Sequence, residues 1–410
     1  MRTFTRDEIL SMLAKEMLDA AEQLPASQPE VGRIHKYIAL AYAAKIKLYQ
    51  AYQQDEITHA VTSINKELLR EVVSLCDQVT ASNRYGLLDD FQGLDLVTNE
   101  NGKESVFAIQ YSMNDGTESA GRINWSNLLN SPGGGSPYGG DGFFLPSQDL
   151  INAYQTDANG LPDFNYQSKS DYSWAVLNNG VYTLQNTTPN VDPRLDFVVG
   201  RPTITWKTYP DKPCEGWVRD KDTYGYNCAK RFWVSPESSD MFNGWPWGAS
   251  QLNWQIIRYA DILLWKAEAL IELNEGNGLE TARDLINQIR NRARNSAYVK
   301  DFNDHSKYAA NYLVNPYPAD VWNQDYARQA LRWETRLEKA LEGERFFDLV
   351  RWGIVETTMN KYITAESDNR IYYANAHFTG GKDEYYPVPN NQYGFSGGKY
   401  VQNPGYAPFN

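Results

Sequence analysis

Apolar positions recur at helical spacing towards both ends of the chain and lose that rhythm in between. Between residues 5 and 80 they predict three helices. The first opens on a capping box, Thr5 to Glu8, and ends near Pro25. The second carries Ile34, Ile38, Tyr42, Ile46 and Tyr49 on one face, with Ala39, Ala43 and Ala44 small enough to let a neighbouring helix approach closely. The third spaces Val61, Ile64, Leu68, Val72, Leu75 and Val79 by three and four. Short helices with small residues and antiparallel links predict a tetratricopeptide-like layer, without a clean period of about 34 residues.

From about residue 81 to 250 Gly, Pro, Asn and Tyr become frequent and long periodic stretches vanish. Residues 104–112 alternate like a strand, with Val106, Ala108 and Gln110 against Phe107 and Ile109. Residues 131–142, SPGGGSPYGGDG, read as a turned loop, and 146–154 as a short helix with Ser147 as N-cap. The stretch Trp254–Leu273 is then apolar on nearly every side, which predicts a helix buried within a large protein. Arg258, Asp261, Lys266 and Glu268 interrupt it, so it is not a membrane span. After a break at Gly276 and Gly278, the spacing of Ala282, Leu285, Ile289 and Ala293 predicts an antiparallel partner helix. A further helix is expected over 320–343, a second run through Trp352, and a tail after 355 that wraps the surface. The pattern divides the chain into a helical segment at 1–80, a loop-rich mixed lobe at 81–250, and a helical region with its tail at 251–410. Together they predict a mainly α fold (α+β minor), a helical layer carrying a loop-rich, partly β lobe.

Composition narrows the function. A net charge of −12 argues against nucleic acid. The chain holds 12 Trp and 28 Tyr, many in the Gly- and Asn-rich middle, a mixture suited to adaptable binding loops. His35, His59, His305 and His377 are scattered without metal-ligand spacing, so no metal or other cofactor is expected. Asp157-Ala-Asn-Gly160 resembles a calcium loop only faintly, lacks the later glutamate, and is expected to be a turn. Cys76 lies in an apolar helical run and is expected as a buried thiol, whereas Cys214 and Cys228 sit in loops where they either pair or stay free.

The acidic ladder Glu334, Glu338 and Glu342, followed by Arg345, Asp348 and Arg351, invites a glycosidase reading with two carboxylates as acid and base. Such a pair normally comes from different segments flanking a cleft. Groups repeated every three or four residues along one helix predict a structural ion-pair network instead. Aromatic loops remain. Trp206, Trp217, Trp233, Trp245 and Trp247 fall outside any long helix, joined by Tyr224, Tyr226 and Phe242. In FNGWPWGAS (242–250), Trp245 and Trp247 flank Pro246 between glycines, which predicts at least one presented ring. The expected ligand-binding residues are Trp245, Trp247, Trp217, Trp206, Asn243, Tyr224, Tyr138 and Trp174, with Trp125 a weaker candidate; core packing is the competing role for each tryptophan.

RYADILLWKAEALIELNEG with LINQIRNRAR resembles the C-terminal signature of the SusD/RagB family. The segment Leu331–Gly353 is similar to that family's R-x-E-R-R-x-E-L-A-F-E-G-x-R-x-x-D-L-x-R-W-G, with departures at Thr335 and Lys339. YYPVPNNQ (385–392) and QNPGY (402–406) resemble its closing motifs. The resemblance implies a SusD-like fold and a non-catalytic lipoprotein of the outer membrane and cell surface, which binds oligosaccharide or polysaccharide and delivers it to a SusC-like TonB-dependent transporter. It also implies that part of the family's N-terminal region, with the lipid anchor, is absent from this chain. A family relative that binds peptides or another nutrient is the alternative; a glycoside hydrolase, with cleft carboxylates about 5–10 Å apart, is a further one, and a scaffold without exposed aromatics the last.

Overall fold

The structure, a computed structural model, describes residues 4–409 apart from 119–120, 134, 174, 179–180, 185–188, 209–215 and 246. Three helices open the chain: α1 (Arg6–Gln23), α2 (Lys36–Ala51) and α3 (Lys66–Ala81). The capping box of α1 is present: the Thr5 hydroxyl accepts from the Glu8 N–H at 3.2 Å and the Glu8 carboxylate accepts from the Thr5 N–H at 2.8 Å. A small hairpin, β1 (Tyr52–Gln54) and β2 (Val61–Ile64), joins α2 to α3. Val61 and Ile64 therefore lie in a strand, not in the first turn of the third helix. That helix starts at the cap of Asn65, whose side-chain oxygen accepts from the Leu68 N–H at 3.2 Å.

In the middle of the chain come β3 (Ser105–Ile109), α4 (Gln148–Ala153), β4 (Gln155–Thr156), β5 (Ala175–Asn178), β6 (Val181–Leu184), β7 (Asn190–Val191), α5 (Arg194–Val198), β8 (Val199–Gly200), α6 (Lys221–Tyr224) and β9 (Cys228–Ala229). Among the described residues they pair in twos: β4 with β7, β5 with β6, β8 with β9, and β3 with a later strand. Ser147 caps α4, accepting from the Leu150 N–H at 3.2 Å. Asp157 makes the expected turn, its carboxylate accepting from the N–H groups of Asn159 and Leu161 at 2.8 and 2.9 Å. Cys228 is disulfide-bonded, while Cys214 lies outside the described residues. Cys76 is a buried free thiol, pushed by burial up to about 12.

The central stretch corrects the sequence reading at its start. Trp254–Arg258 is a strand, β10, antiparallel to β3, and α7 (Tyr259–Leu273) begins only after it. From there the prediction holds. α7 is buried on nearly every side, ends at Asn274 in the left-handed region (φ 51°), and α8 (Gly278–Asn295) runs back along it. The remaining helices are α9 (Gln324–Glu338), α10 (Arg345–Arg351), α11 (Val355–Ser367) and α12 (Asn390–Phe395). α1 packs on α2, α2 on α3, α3 on α7, and α7 on α8 and α9. This neighbour-to-neighbour stacking buries one apolar core through the layer, as helical repeats do. A second core around Phe91, Tyr154, Leu195 and Phe197 fills the loop-rich lobe.

The acidic ladder joins layer to lobe. Glu334 takes Arg194 at 2.6 Å and Arg290 at 3.1 Å. Glu338 takes Arg258 at 2.6 Å, Arg194 at 3.2 Å, and Arg292. Glu342, in the turn after α9, takes Arg258 at 2.8 Å and Arg231 at 3.1 Å. Arg194 and Arg231 belong to the lobe, Arg290 and Arg292 to α8. All three carboxylates lie in the interior with their charges paired, which is the structural role the spacing predicted. Arg351 likewise pairs with Glu268 of α7, and with Asp348 at 2.8 Å.

Candidate functional site

The loop from Met241 to Ser250 is closed at its base. Met241 and Ser250 form an antiparallel bridge, the Phe242 N–H donates to the Ala249 carbonyl at 2.8 Å, and the Asn124 N–H donates to the Ser250 carbonyl at 2.7 Å. Its tip carries Asn243, Trp245 and Trp247 into solvent, the two tryptophans 68% and 53% exposed. Indoles left more than half exposed to water are costly, so a pair on one tip marks a contact surface.

Beneath the loop lies a pedestal of rings. Tyr138 stands 4.6 Å from Trp233 and 5.9 Å from Trp206 between centroids, and Trp206 packs edge-on to Trp217 at 5.2 Å. The Trp206 indole N–H donates to the Tyr138 hydroxyl at 2.9 Å, which donates to the Val234 carbonyl at 2.6 Å. Tyr138 and Trp206 are 1% exposed and Trp217 5%. These three, expected from sequence to touch ligand, are instead the buried support: their polar hydrogens or rings are occupied by one another and by backbone, leaving no face for a sugar.

Two glycines fasten the tip to that support. Gly248 has φ 78°, and a Cβ there would lie 2.9 Å from the Tyr138 carbonyl and 3.0 Å from the Trp233 ring. At Gly139, φ 65°, a Cβ would lie 3.3 Å from the Cβ of Trp247, so the glycine-rich loop 131–142 lies directly against that tryptophan. The same loop supplies a polar rim. Asp141 pairs with Arg219 at 3.0 Å, and Arg219 also donates to the Gly140 carbonyl at 3.0 Å, both side chains open to solvent. The sequence reading missed Asp141 and Arg219; the one signal was the Gly-Gly-Asp-Gly run, which marks a turn whose aspartate points outward. Replacing Gly248 by Ala is expected to lower stability by about 1–3 kcal/mol through backbone strain and overlap with Tyr138, read as a lower urea midpoint, and to weaken any ligand held on the tip.

The remaining candidates lie apart. Tyr224 is exposed but packs by Tyr372, 6.2 Å between centroids, in a separate cleft. Trp174 lies outside the described residues. Trp125 is exposed on the preceding loop. A cavity of about 690 Å³ lies elsewhere again, between α4, α9, α10 and α11, lined by Phe164, Trp333, Arg332, Arg336, Arg345 and Phe346 among others. Helices and turns line it and none of its lining residues lies in a strand, so a peptide entering it would find no strand edge to pair with. Among the described residues no group of three His, Cys, Asp or Glu is placed to hold a metal ion, and no described helix is long and apolar enough to cross a membrane.

Residues 103–406 match the SusD family. No curated protein matches the chain. Among solved structures, a SusD-like protein from Bacteroides fragilis is 23% identical with a TM-score of 0.58, over 86% of this chain and 62% of that one. A SusD homolog from Bacteroides thetaiotaomicron is 18% identical with a TM-score of 0.64, over 98% and 70%. A laminarin-binding SusD-like protein is 19% identical with a TM-score of 0.53, over 97% and 69%. At these identities the likeness shows the fold. The chain spans about three-fifths of the length of the first of these relatives.

Proposed function

The chain belongs to the SusD family, and from that premise we propose that it captures oligosaccharide or polysaccharide at the cell surface on the Trp245–Trp247 loop and hands it, uncleaved, to a SusC-like TonB-dependent transporter of the outer membrane. It is a binding protein and not an enzyme. The observation that carries the reading is the pair of solvent-facing indoles on a tip held rigid by a buried aromatic pedestal. A sugar ring has apolar faces of C–H groups and a polar edge of hydroxyls. A flat indole matches the face, and a rigid one loses little entropy when it stacks. Asn243, Asp141 and Arg219 supply amide, carboxylate and guanidinium groups for the hydroxyl edge. The α1 face bearing Ile9, Met12 and Leu13 is exposed and lies on the helical layer. A layer of stacked helices with such a face supports the transporter half of the proposal, because docking on a barrel needs a broad, partly apolar surface.

Affinity electrophoresis tests this reading. The chain is run through gels containing laminarin, xyloglucan, or other plant, fungal and host polysaccharides, with reducing ends assayed in parallel. Retardation by at least one polysaccharide without release of reducing sugar is expected. Released sugar would contradict capture without cleavage, and retardation by none would turn the assignment to a peptide ligand.

A further inference from the structure

Away from the tryptophan loop, the start of the C-terminal tail folds back on two loops of the lobe and encloses a cavity of about 240 Å³. Phe143, Tyr224, Tyr372 and Tyr373 form its aromatic walls, and Glu366 and Arg370 lie among them. Tyr224 and Tyr372 are inclined at 40° with centroids 6.2 Å apart, and Tyr372 meets Tyr373 at 4.6 Å. The Tyr373 hydroxyl lies 3.0 Å from that of Tyr362. Gly225, at φ 75°, lies against the Arg370 guanidinium, which a side chain there would overlap unless Arg370 moved.

Glu366 sets this cavity apart from a packing gap. Its side chain is buried, 1% exposed. One carboxylate oxygen accepts from the Asp149 N–H at 2.5 Å, while the other, Oε2, has no hydrogen-bond partner. A buried carboxylate oxygen without a donor carries a desolvation penalty that a native fold rarely leaves unmet. A ligand in the aromatic-walled cavity that Glu366 lines would supply the missing donor.

We propose that this cleft is a second, single-ring carbohydrate site, in which one neutral pyranose lies against Tyr224 and Tyr372 and donates a hydroxyl hydrogen bond to Glu366 Oε2. The volume is below that of sites for drug-sized ligands, about 300–1,000 Å³, so it takes one ring and not a chain of them. Arg370 on the same wall disfavours a cationic ligand, and the negative charge of Glu366 with Asp149 behind it disfavours an anionic one. What remains is a neutral ring with an apolar face and hydroxyl donors. The site shares no residue with the tryptophan tip and does not depend on it.

Saturation-transfer NMR with the methyl pyranosides of glucose, galactose, mannose and xylose tests the site. The wild-type chain is expected to transfer saturation to the ring protons of at least one of them. Tyr224→Ala/Tyr372→Ala, whose rings are half exposed, is expected to keep its melting curve and lose that transfer at least tenfold. Trp245→Ala/Trp247→Ala is expected to retain it, and Glu366→Gln, where it folds, to weaken it. No transfer to any of the four probes would overturn the proposal. So would transfer that survives the tyrosine variant and vanishes in the tryptophan one, or transfer to tetramethylammonium in place of sugars.

Discussion

Replacing Glu338 by Ala is expected to destabilise the protein by about 3–5 kcal/mol, a large share of the roughly 5–15 kcal/mol that holds a typical domain folded. Glu338 is fully buried and receives Arg258 at 2.6 Å and Arg194 at 3.2 Å, with Arg292 as a third partner. Removing it leaves three guanidinium groups short of countercharge in a place water does not reach. The cost comes from those stranded charges more than from the lost attraction. Urea denaturation reads it as a lower midpoint, and a change within about 0.5 kcal/mol, the usual range for surface substitutions, would sink the network argument.

The same site predicts acid sensitivity. Burial alone would raise the Glu338 carboxyl, but Arg292, Arg258 and Arg194 outweigh it and hold the group down at about 2, from an ordinary 4.5. Glu342 is held well below the ordinary range in the same way, by Arg258, Lys339 and Arg231 against the effect of burial. A carboxyl depressed on folding contributes stability that is fully present above its unfolded value and lost as pH falls through the folded one. The melting temperature is therefore expected to decline as pH drops from about 4.5 towards 2, and Glu338→Gln is expected to flatten that decline.

The double substitution Trp245→Ala/Trp247→Ala is expected to leave the fold intact and to weaken glycan binding by roughly 30-fold or more, about 2 kcal/mol, as central aromatic anchors do at other interfaces. Both rings project into solvent, so the fold loses little by their truncation. Isothermal titration with the retarding polysaccharide gives the affinity, and a urea melt confirms the fold. An affinity unchanged within twofold would remove the tip from the site. Trp217→Ala should behave oppositely. It truncates a ring of the pedestal, so stability should fall first and binding only as a consequence.

The sequence made the helical layer legible where local chemistry is unambiguous. Thr5 with Glu8 and the cap at Ser147 need only side chain and neighbouring backbone, and they form as read. The ladder Glu334, Glu338 and Glu342 was legible as structural from its four-residue period, although α9 ends at Glu338 and Glu342 lies in the turn beyond it. Two of the misread boundaries share a cause. Ile256 and Ile257, and likewise Val61 and Ile64, are β-branched apolar residues directly ahead of a helix, and a short apolar run fits either period. Only the pairing of β10 with β3, far away in sequence, decides the first case, while Asn65 as a cap was a local signal for the second.

At the candidate site, exposure was the illegible quantity. Trp206 follows Ile204 and Trp217 precedes Val218, apolar company that goes inside with them. Trp245 and Trp247 stand among Asn243, Gly244, Pro246 and Gly248, with no branched aliphatic residue beside them to draw them in. That contrast of immediate neighbours separates the two groups, although all four are tryptophans within one loop-rich stretch. The cleft at Tyr224 was out of reach because its other wall, Glu366 to Tyr373, comes from a distant part of the chain.

The central claim is that a sugar ring stacks on the Trp245–Trp247 tip and leaves it intact. A crystal structure of the chain with the shortest oligosaccharide that binds in solution tests it most directly. The account predicts an uncleaved oligosaccharide with a ring face on at least one of the two indoles and hydroxyls reaching towards Asn243, Asp141 or Arg219. An oligosaccharide held elsewhere with both indoles bare, or one found cut, would contradict it.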